Sequence, residues 1–220
     1  MLRIYDCKTE YRVDPIGIDA PNPRFSWKIA SDQDNLMQSA WRLLAWTDEK
    51  LLWDSGPVES SQSQHIRWNG PELTSGQRVR WQVRVWAGRE EAESSFATFE
   101  MGLLSPEDWH AQWLEPEGQI DPDAFKPCPY LRREFTVRQG LIRARAYQTA
   151  HGLYACWFNG LPGTEDKFNP GLTSYHKRLQ YQVHDVTNLL REGENTWAVI
   201  LGDGWWRGTT GGAVRNNFGG

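Results

Sequence analysis

The feature that most constrains the fold is a strict two-residue alternation of apolar and polar side chains, clearest over residues 78–86. One face of this stretch is apolar and carries Val79, Trp81, Val83 and Val85. The opposite face is polar and carries Arg78, Arg80, Gln82 and Arg84. Because successive side chains of a strand point to opposite faces, this pattern predicts an antiparallel strand with one buried face. We expect the arginines to lie in solvent and to discourage edge pairing rather than to bind an anion.

Similar alternation recurs along the first hundred residues, whereas apolar residues rarely recur at helical spacing. The further strands predicted in this region cover residues 24–29, 39–46, 52–56, 63–68 and 94–99. Many short strands separated by turn signals are typical of an antiparallel β-sandwich. The sequence lacks the Cys…Trp…Cys pattern of an antibody domain, so a fibronectin type III-like sandwich fits better.

A second group of strands is predicted after residue 129, at 130–137, 141–149, 152–158, 181–183 and 195–201. Asn159-Gly160 predicts a tight hairpin, because both residues of such a turn take positive φ. The strand at 195–201 is almost entirely apolar and is therefore predicted to be central in its sheet. The fold class predicted from these patterns is all-β, with two antiparallel β-sandwich modules in tandem.

The two groups of strands are separated by an irregular stretch. Ser105 and Pro106 predict a capped helical turn, and turn-forming residues then keep the backbone irregular: Pro116, Gly118, Asp121, Pro122, Pro127 and Pro129. We predict a first sandwich over 1–104, a linker over 105–129 with the aromatic anchors Trp109 and Trp113, and a second sandwich over 130–220 that ends in a glycine-rich tail.

Composition excludes several classes of function. The 24 Lys+Arg against 28 Asp+Glu give a formal net charge of −4 and no basic surface for a nucleic acid. No apolar run approaches the roughly 20 residues that cross a bilayer, and residues 1–6 lack the apolar stretch of a signal peptide. We therefore expect a cytoplasmic location and neither nucleic acid nor membrane as a partner. Cys7, Cys128 and Cys156 are widely spaced and predict neither disulfides nor a zinc site, and no cofactor is expected.

No catalytic residue can be assigned from a motif. The five histidines lie in separate segments outside any nucleophile or metal-ligand motif. Glycoside hydrolysis needs two carboxyl groups about 5–9.5 Å apart, yet most acidic residues lie in predicted turns. Gly202-Asp203-Gly204 is not a dinucleotide turn, because the third glycine falls at 208 and no helix is predicted after it. Asp203 is the best-placed acid, and we expect it to bond loop amides rather than to catalyse.

Tryptophan is abundant, with 13 Trp against 7 Tyr and 8 Phe. Many of the tryptophans fall on predicted strands, but Trp205 and Trp206 follow the end of a strand beside glycines. An exposed indole offers an apolar plane and one N–H donor, which suit a sugar ring. The candidate carbohydrate-binding residues are therefore Asp203, Trp205, Trp206 and Arg207. In the alternative interpretation, one indole closes the end of the sandwich and the other packs on a neighbouring domain.

Motifs in both halves resemble bacterial α-L-rhamnosidases, which are glycoside hydrolases. In the first half the resemblance lies in Asp14-Pro15-Ile16-Gly17-Ile18-Asp19, Pro23-Arg24-Phe25-Ser26-Trp27, Trp53-Asp54-Ser55-Gly56, Trp81 to Trp86 and Phe99 to Leu104. In the second half it lies in Tyr147 to Tyr154, Asn159-Gly160, Asn169 to Arg178, Asp185-Val186-Thr187 and Leu201 to Gly208. These segments are similar to the family's immunoglobulin-like domain and its jelly-roll-like N-terminal β-sandwich. Leu172 and Trp206 depart from the pattern, which has Trp and Tyr there.

The resemblance implies an enzyme that hydrolyses terminal α-L-rhamnosyl groups with inversion, using acidic residues of a later (α/α)-barrel. It also implies that residues 130–220 form an incomplete sandwich. We therefore expect the non-catalytic N-terminal portion of a rhamnosidase, inactive alone, which meets rhamnosides through the full enzyme. Two alternatives stay open: a stand-alone carbohydrate-binding module, and a structural scaffold whose exposed strand edges pair in a homodimer.

Overall fold

The computed structural model describes residues 1–115, 117 and 127–208, and nearly all of the regular secondary structure among them is β-strand. The chain divides into two compact units, Met1–Ala111 and Gln112–Gly220. Each unit has a hydrophobic core of its own. Much of the predicted linker, including Pro116, Gly118, Asp121 and Pro122, and the glycine-rich tail after residue 208 lie outside the described residues.

The first unit contains two sheets. A three-stranded sheet has the order β1-β3-β7, and a larger sheet has the order β2-β10-β8-β4-β5, with β6 beside β4 and β9 beside β8. A 3-10 turn over Pro106–Asp108 follows the last strand, as predicted from Ser105 and Pro106. The strands are β1 (Arg3–Thr9), β2 (Ile16–Ile18), β3 (Arg24–Ala30), β4 (Ala40–Thr47), β5 (Lys50–Asp54), β6 (Val58–Glu59), β7 (Ile66–Arg67), β8 (Arg78–Ala87), β9 (Glu90–Glu93) and β10 (Ala97–Met101).

One pair of strands departs from the predicted antiparallel arrangement. Strand β2 runs parallel to β10 at the edge of the larger sheet. Main-chain hydrogen bonds hold it there, because Glu100 N–H donates to the Pro15 carbonyl at 2.9 Å and Gly102 N–H donates to the Ile18 carbonyl at 2.7 Å. The short β2 thereby pairs main-chain groups of β10 that would otherwise lie open on that edge.

The buried face of β8 joins the two sheets of the first unit. All five of its apolar side chains are 0% exposed, and the first four confirm the predicted alternation: Val79, Trp81, Val83, Val85 and Ala87. The Trp81 ring meets Phe25 of the facing sheet edge-on, with centroids 4.8 Å apart. Its Nε1–H donates to Thr9 Oγ1 at 3.0 Å, so this buried indole has the partner that its polar atom needs. Two of the outward arginines form ion pairs, Arg80 with Glu49 and Arg84 with Glu93.

The second unit has a four-stranded sheet in the order β11-β16-β13-β14 and a separate pair, β12 and β15. Strand β16 lies between β11 and β13, which confirms its predicted central position. Asn159 and Gly160 take φ of 51° and 82° between β13 and β14, as the hairpin prediction required. The elements are β11 (Tyr130–Val137), β12 (Arg145–Gln148), β13 (Leu153–Phe158), β14 (Leu161–Pro162), β15 (Gln182–Asp185), a 3-10 turn (Thr187–Leu189), β16 (Gly193–Gly202) and α1 (Gly204–Arg207).

Strand β12 is shorter than the strand predicted over 141–149. It begins at Arg145, because the preceding residue is bonded to a side chain instead of a strand: Ala144 N–H donates to Thr187 Oγ1 at 3.0 Å. Ile142 is 91% exposed, so the apolar residues at 141 and 142 that suggested a longer strand do not both enter the core.

Strand β13 contributes several of the buried side chains to the core of the second unit. Tyr154, Cys156 and Phe158 are buried, and the Tyr154 hydroxyl donates to Gln182 Oε1 and lies 3.0 Å from His184 Nε2. Three inward residues of β16 are only partly buried: Trp197, Val199 and Leu201. This second core is therefore less fully covered than the first, where the inward side chains of β8 are completely buried.

Candidate carbohydrate-binding site

Strand register places the candidate residues beside the turn that precedes β13. Leu153 at the start of β13 pairs with Gly202 at the end of β16, so the chain before β13 adjoins the chain after β16. A Cβ on Gly152 would lie 2.3 Å from the Gly202 carbonyl oxygen, and one on Gly204 would lie 2.7 Å from Leu153 Cγ. Both glycines have positive φ, +82° and +48°. Only glycine satisfies the backbone angle and the close approach together.

The chain after β16 forms one helical turn, α1, where sequence patterns predicted a loop. Arg207 N–H donates to the Asp203 carbonyl at 3.2 Å, and Gly208 N–H donates to the Gly204 carbonyl at 3.1 Å. The Asp203 side chain makes no capping hydrogen bond to α1, and the expectation that its carboxylate bonds loop amides stays a prediction. Its Oδ1 instead lies 4.0 Å from Arg207 Nε.

The rings of Trp113, His151 and Trp206 stack in parallel and form a column, and Trp206 belongs to α1. His151 stacks on Trp206 with centroids 4.1 Å apart and planes 11° apart. On its other face it stacks on Trp113 at 4.6 Å and 12°. Tyr175 stands perpendicular to Trp206 at 5.3 Å and 83° and is only 8% exposed. Trp206 is therefore the inner member of the column.

Trp205 points to a different neighbour from Trp206. Its ring lies 6.3 Å from Phe168, with the planes tilted by 57°. Trp205 is half-buried, whereas Phe168 is 68% exposed. The two adjacent indoles of α1 thus contact different residues, and they do not form one flat surface.

The polar groups around the column carry opposite charges. The Asp203 side chain is 56% exposed and that of Arg207 is 40% exposed. Arg207 Nε is itself buried and has no hydrogen-bond partner among the described residues. Burial lowers the pKa of His151, and the Arg207 guanidinium lowers it further, while Glu115 acts in the opposite direction. An imidazole that is neutral near pH 7 can accept or donate a hydrogen bond.

No metal centre is found in the part of the chain that the structure describes, since no cluster of His, Cys, Asp and Glu side chains there could hold an ion. Cys7, Cys128 and Cys156 are free thiols. None of the helices formed by the described residues is both long and apolar enough to cross a membrane.

Sequence patterns missed the participation of Trp113 and His151 in this site. Trp113 was predicted to be an interdomain anchor, and that role stays a prediction, but its ring contacts His151 of its own unit. The available signal was a tryptophan in an irregular stretch, four residues after Trp109. Its partner could not be inferred, because the contact depends on how β13 and β16 pair.

Both halves of the chain match known families. Residues 4–105 match the family described as Rha78A-like, N-terminal immunoglobulin domain, and residues 139–220 match the family described as α-L-rhamnosidase N-terminal domain. The chain therefore belongs to the class of rhamnosidase N-terminal regions in which an immunoglobulin domain precedes a second β domain. The predicted resemblance and the all-β class are both confirmed.

Individual relatives agree with this class. An α-L-rhamnosidase of Alteromonas sp. (strain LOR) is 35% identical over 211 residues, which cover 89% of this chain and 23% of that protein. One from Formosa agariphila is 35% identical over 213 residues, covering 90% and 23%. The chain thus spans about a quarter of the length of these curated relatives, and the prediction that it corresponds to the N-terminal portion of an α-L-rhamnosidase is confirmed.

Solved structures share the fold. The α-L-rhamnosidase from Dictyoglumus thermophilum superimposes with a TM-score of 0.83 at 32% identity, over 93% of this chain and 25% of that one. The native enzyme from Aspergillus terreus gives 0.87 at 30% identity, over 98% and 26%. The Streptomyces avermitilis enzyme, solved in complex with L-rhamnose, gives 0.87 over 100% and 38%, and at 21% identity it shows the shared fold alone.

Proposed function

We propose that this chain is the non-catalytic part of an enzyme that removes terminal α-L-rhamnosyl groups from glycosides. The observation that carries the proposal is the match of both halves, in order, to the N-terminal domain families of α-L-rhamnosidases. The substrate follows from the relatives, which are named α-L-rhamnosidase. The acids that hydrolyse the glycoside then belong to a separate barrel domain, as the sequence resemblance implied, and the two β units support that domain.

A chromogenic assay tests this proposal. The purified 220-residue chain and the product of the entire reading frame that contains it are each incubated with p-nitrophenyl α-L-rhamnopyranoside. We expect p-nitrophenol only from a product longer than this chain, and none from p-nitrophenyl β-D-galactopyranoside as a control. Release by the 220-residue chain would contradict the non-catalytic role. Failure of a longer product to release p-nitrophenol would contradict the rhamnosidase assignment.

A second function, sugar binding, is favoured by the exposed charged groups beside the aromatic column. Asp203, Trp205, Trp206 and Arg207 are the proposed binding residues, because carboxylate and guanidinium groups bond hydroxyls and indoles cover apolar C–H faces. L-rhamnose is titrated into the chain up to tens of millimolar while tryptophan fluorescence is followed. We expect a saturable change that Arg207→Ala weakens and Arg191→Ala, in the same unit, leaves intact. An unchanged spectrum would rule out this function.

A scaffold role through self-association is the third proposal. Strands β11 and β14 lie at the two ends of their sheet, and an uncovered strand edge can pair with another chain. The inward residues of β16 are only partly buried, which also supports the proposal. We expect light scattering to give a mass above 25.4 kDa that rises with concentration. A constant monomer mass would contradict it. The cytoplasmic location and the absence of nucleic-acid and membrane partners stay predictions.

A further inference from the structure

We propose that two copies of this chain pair through β11, antiparallel, with Arg132 of each copy opposite Glu134 of the other. This inference rests on the proposed scaffold role and assigns the contact surface and the register within it. The partner that the surface fits is a second copy of the chain, related to the first by a two-fold axis at Arg133.

The first step of the argument is that β11 has a long and regular free edge. It pairs with β16 over eight consecutive residues without a register shift, and no strand of the described residues lies on its other side. At the opposite end of the sheet, β14 consists only of Leu161 and Pro162, and proline lacks the N–H that a further strand would need. The edge that can accept a partner is therefore β11.

The second step identifies the main-chain groups on that free edge. Tyr130 stands opposite Ile200, and one residue earlier the Pro129 carbonyl accepts from Leu201 N–H at 3.0 Å. Residues that bond the neighbouring strand alternate with residues whose N–H and C=O point away from it. The odd-numbered residues of β11 therefore bond β16. The N–H and C=O groups that point to the free edge belong to Tyr130, Arg132, Glu134 and Thr136.

The third step is that the charges on one face of β11 complement each other when the strand meets its own copy. Arg132 Nη2–H donates to Glu134 Oε1 at 2.6 Å, and the two side chains are 62% and 70% exposed. With the axis at Arg133, each of these charges also faces an opposite charge across the two strands, which stabilises the pairing. Moving the axis by one residue would instead oppose two copies of Arg132 or two of Glu134, so the charges select one register.

The other face of β11 supports the same register with one exception. Leu131 and Phe135 are half-buried, and Phe135 packs against the second core. With the axis at Arg133, Leu131 faces Phe135 of the other copy, and the pairing extends the apolar layer. Arg133 is exposed and meets its own counterpart at the axis. This like-charge contact opposes pairing, so we expect a reversible dimer.

Exchange of the charges tests the register. Sedimentation equilibrium at low ionic strength, where exposed charges are least screened, gives the dimer dissociation constant of the 220-residue chain. We expect Arg132→Glu and Glu134→Arg each to raise it about tenfold, because each places like charges opposite one another on both sides of the axis. The combined variant should recover the unaltered value. Lys50→Glu, on the edge strand β5 of the first unit, is the control and should have no effect.

Two further substitutions test the main-chain contact and the position of the axis. Thr136→Pro removes an N–H that points to the free edge, so it should abolish the dimer and leave the bonds between β11 and β16 in place. Arg133→Thr removes the like-charge contact and should tighten the dimer. Far-UV circular dichroism and the thermal midpoint, measured at a concentration where the unaltered chain is monomeric, check that each variant is folded.

The outcomes separate this inference from the scaffold role on which it rests. A mass that rises with concentration but responds to none of these substitutions would keep the scaffold role and overturn the β11 contact. Weakening by both single exchanges without recovery in the combined variant would overturn the register, and equal weakening by Lys50→Glu would overturn the assignment to β11. A constant monomer mass of the unaltered chain would remove both the scaffold role and the inference.

Discussion

At the scale of single residues, two glycines control how the candidate site is assembled. Gly152 and Gly204 bring the turn before β13 against the start of α1, and neither position has room for a Cβ. His151 and Trp206, the two stacked rings, are each within two residues of one of these glycines. The close backbone contact therefore sets the distance between the rings.

Substitution of the first glycine is expected to destabilise the second unit. Gly152→Ala places a Cβ against the Gly202 carbonyl and at positive φ, and should lower the free energy of unfolding by about 3 kcal/mol or more. Gly160→Ala is the matched control, since its φ is also +82° but nothing lies within 4 Å of the added Cβ. It should cost about 1 kcal/mol. Equal losses in urea unfolding would contradict the steric argument.

The buried His184 gives the second unit a dependence on pH. Burial lowers the pKa of His184 from its ordinary value of 6.5, so the unfolded chain binds more protons than the folded chain between the two pKa values. Stability is therefore complete above about pH 6.5 and is lost as the pH falls towards the pKa of the folded state.

Unfolding in urea at a series of pH values checks this dependence. His184→Gln should flatten the profile below pH 6.5 although it also removes the contact with the Tyr154 hydroxyl. Tyr154→Phe, which loses that hydroxyl but keeps the buried imidazole, should retain the acid-side loss of stability. A profile as steep in His184→Gln as in the unaltered chain would assign the effect to another group.

At the scale of elements, each sheet of the first unit turns one apolar face inward. Strand β4 pairs with β8 along most of its length, and Leu43 on its inner face is 0% exposed. Leu51, on the neighbouring β5, is 49% exposed. These two leucines occupy the same sheet and differ in burial.

Truncation of these leucines should show how much the inner face contributes. Leu43→Ala should lower the free energy of unfolding of the first unit by about 3 kcal/mol, because it removes buried contacts and leaves a cavity. Leu51→Ala should change it by less than about 1 kcal/mol. Both are measured by chemical denaturation followed by tryptophan fluorescence. Comparable effects of the two substitutions would show that Leu43 does not lie in a packed core.

At the scale of the whole molecule, the chain carries two separate cores of unequal quality. The first contains fully buried aromatic residues from both of its sheets, such as Phe25 and Trp81. In the second, the inward residues of its central strand are only partly buried. Since stabilisation increases with the apolar area removed from water, the second core should be the weaker one.

We therefore expect two calorimetric transitions, with the second unit unfolding at the lower temperature. Leu43→Ala should shift only the upper transition and Gly152→Ala only the lower one. Hydrogen exchange followed by mass spectrometry assigns each transition to its peptides. A single transition whose midpoint moves with both substitutions would show that the two units unfold as one.

Much of the architecture was predictable from local patterns. Alternation predicted β8 and the identity of its buried face, and an apolar run predicted the central β16. The start of β12 was not predictable, because Ala144 N–H donates to the side chain of Thr187, a residue far away along the chain. The parallel pairing of β2 with β10 also joins distant residues. It was missed because a strand of three residues is too short to show an alternating pattern.

What the sequence by itself determined is the all-β class, the inward and outward faces of the main strands, and the resemblance to rhamnosidase N-terminal regions. These follow from neighbours along the chain. Only the tertiary structure decided that Trp113, His151 and Trp206 form one column and that Trp206 is its inner member. Those contacts arise because the pairing of Leu153 with Gly202 brings the start of β13 next to the end of β16. No local pattern encodes a distance between residues so far apart along the chain.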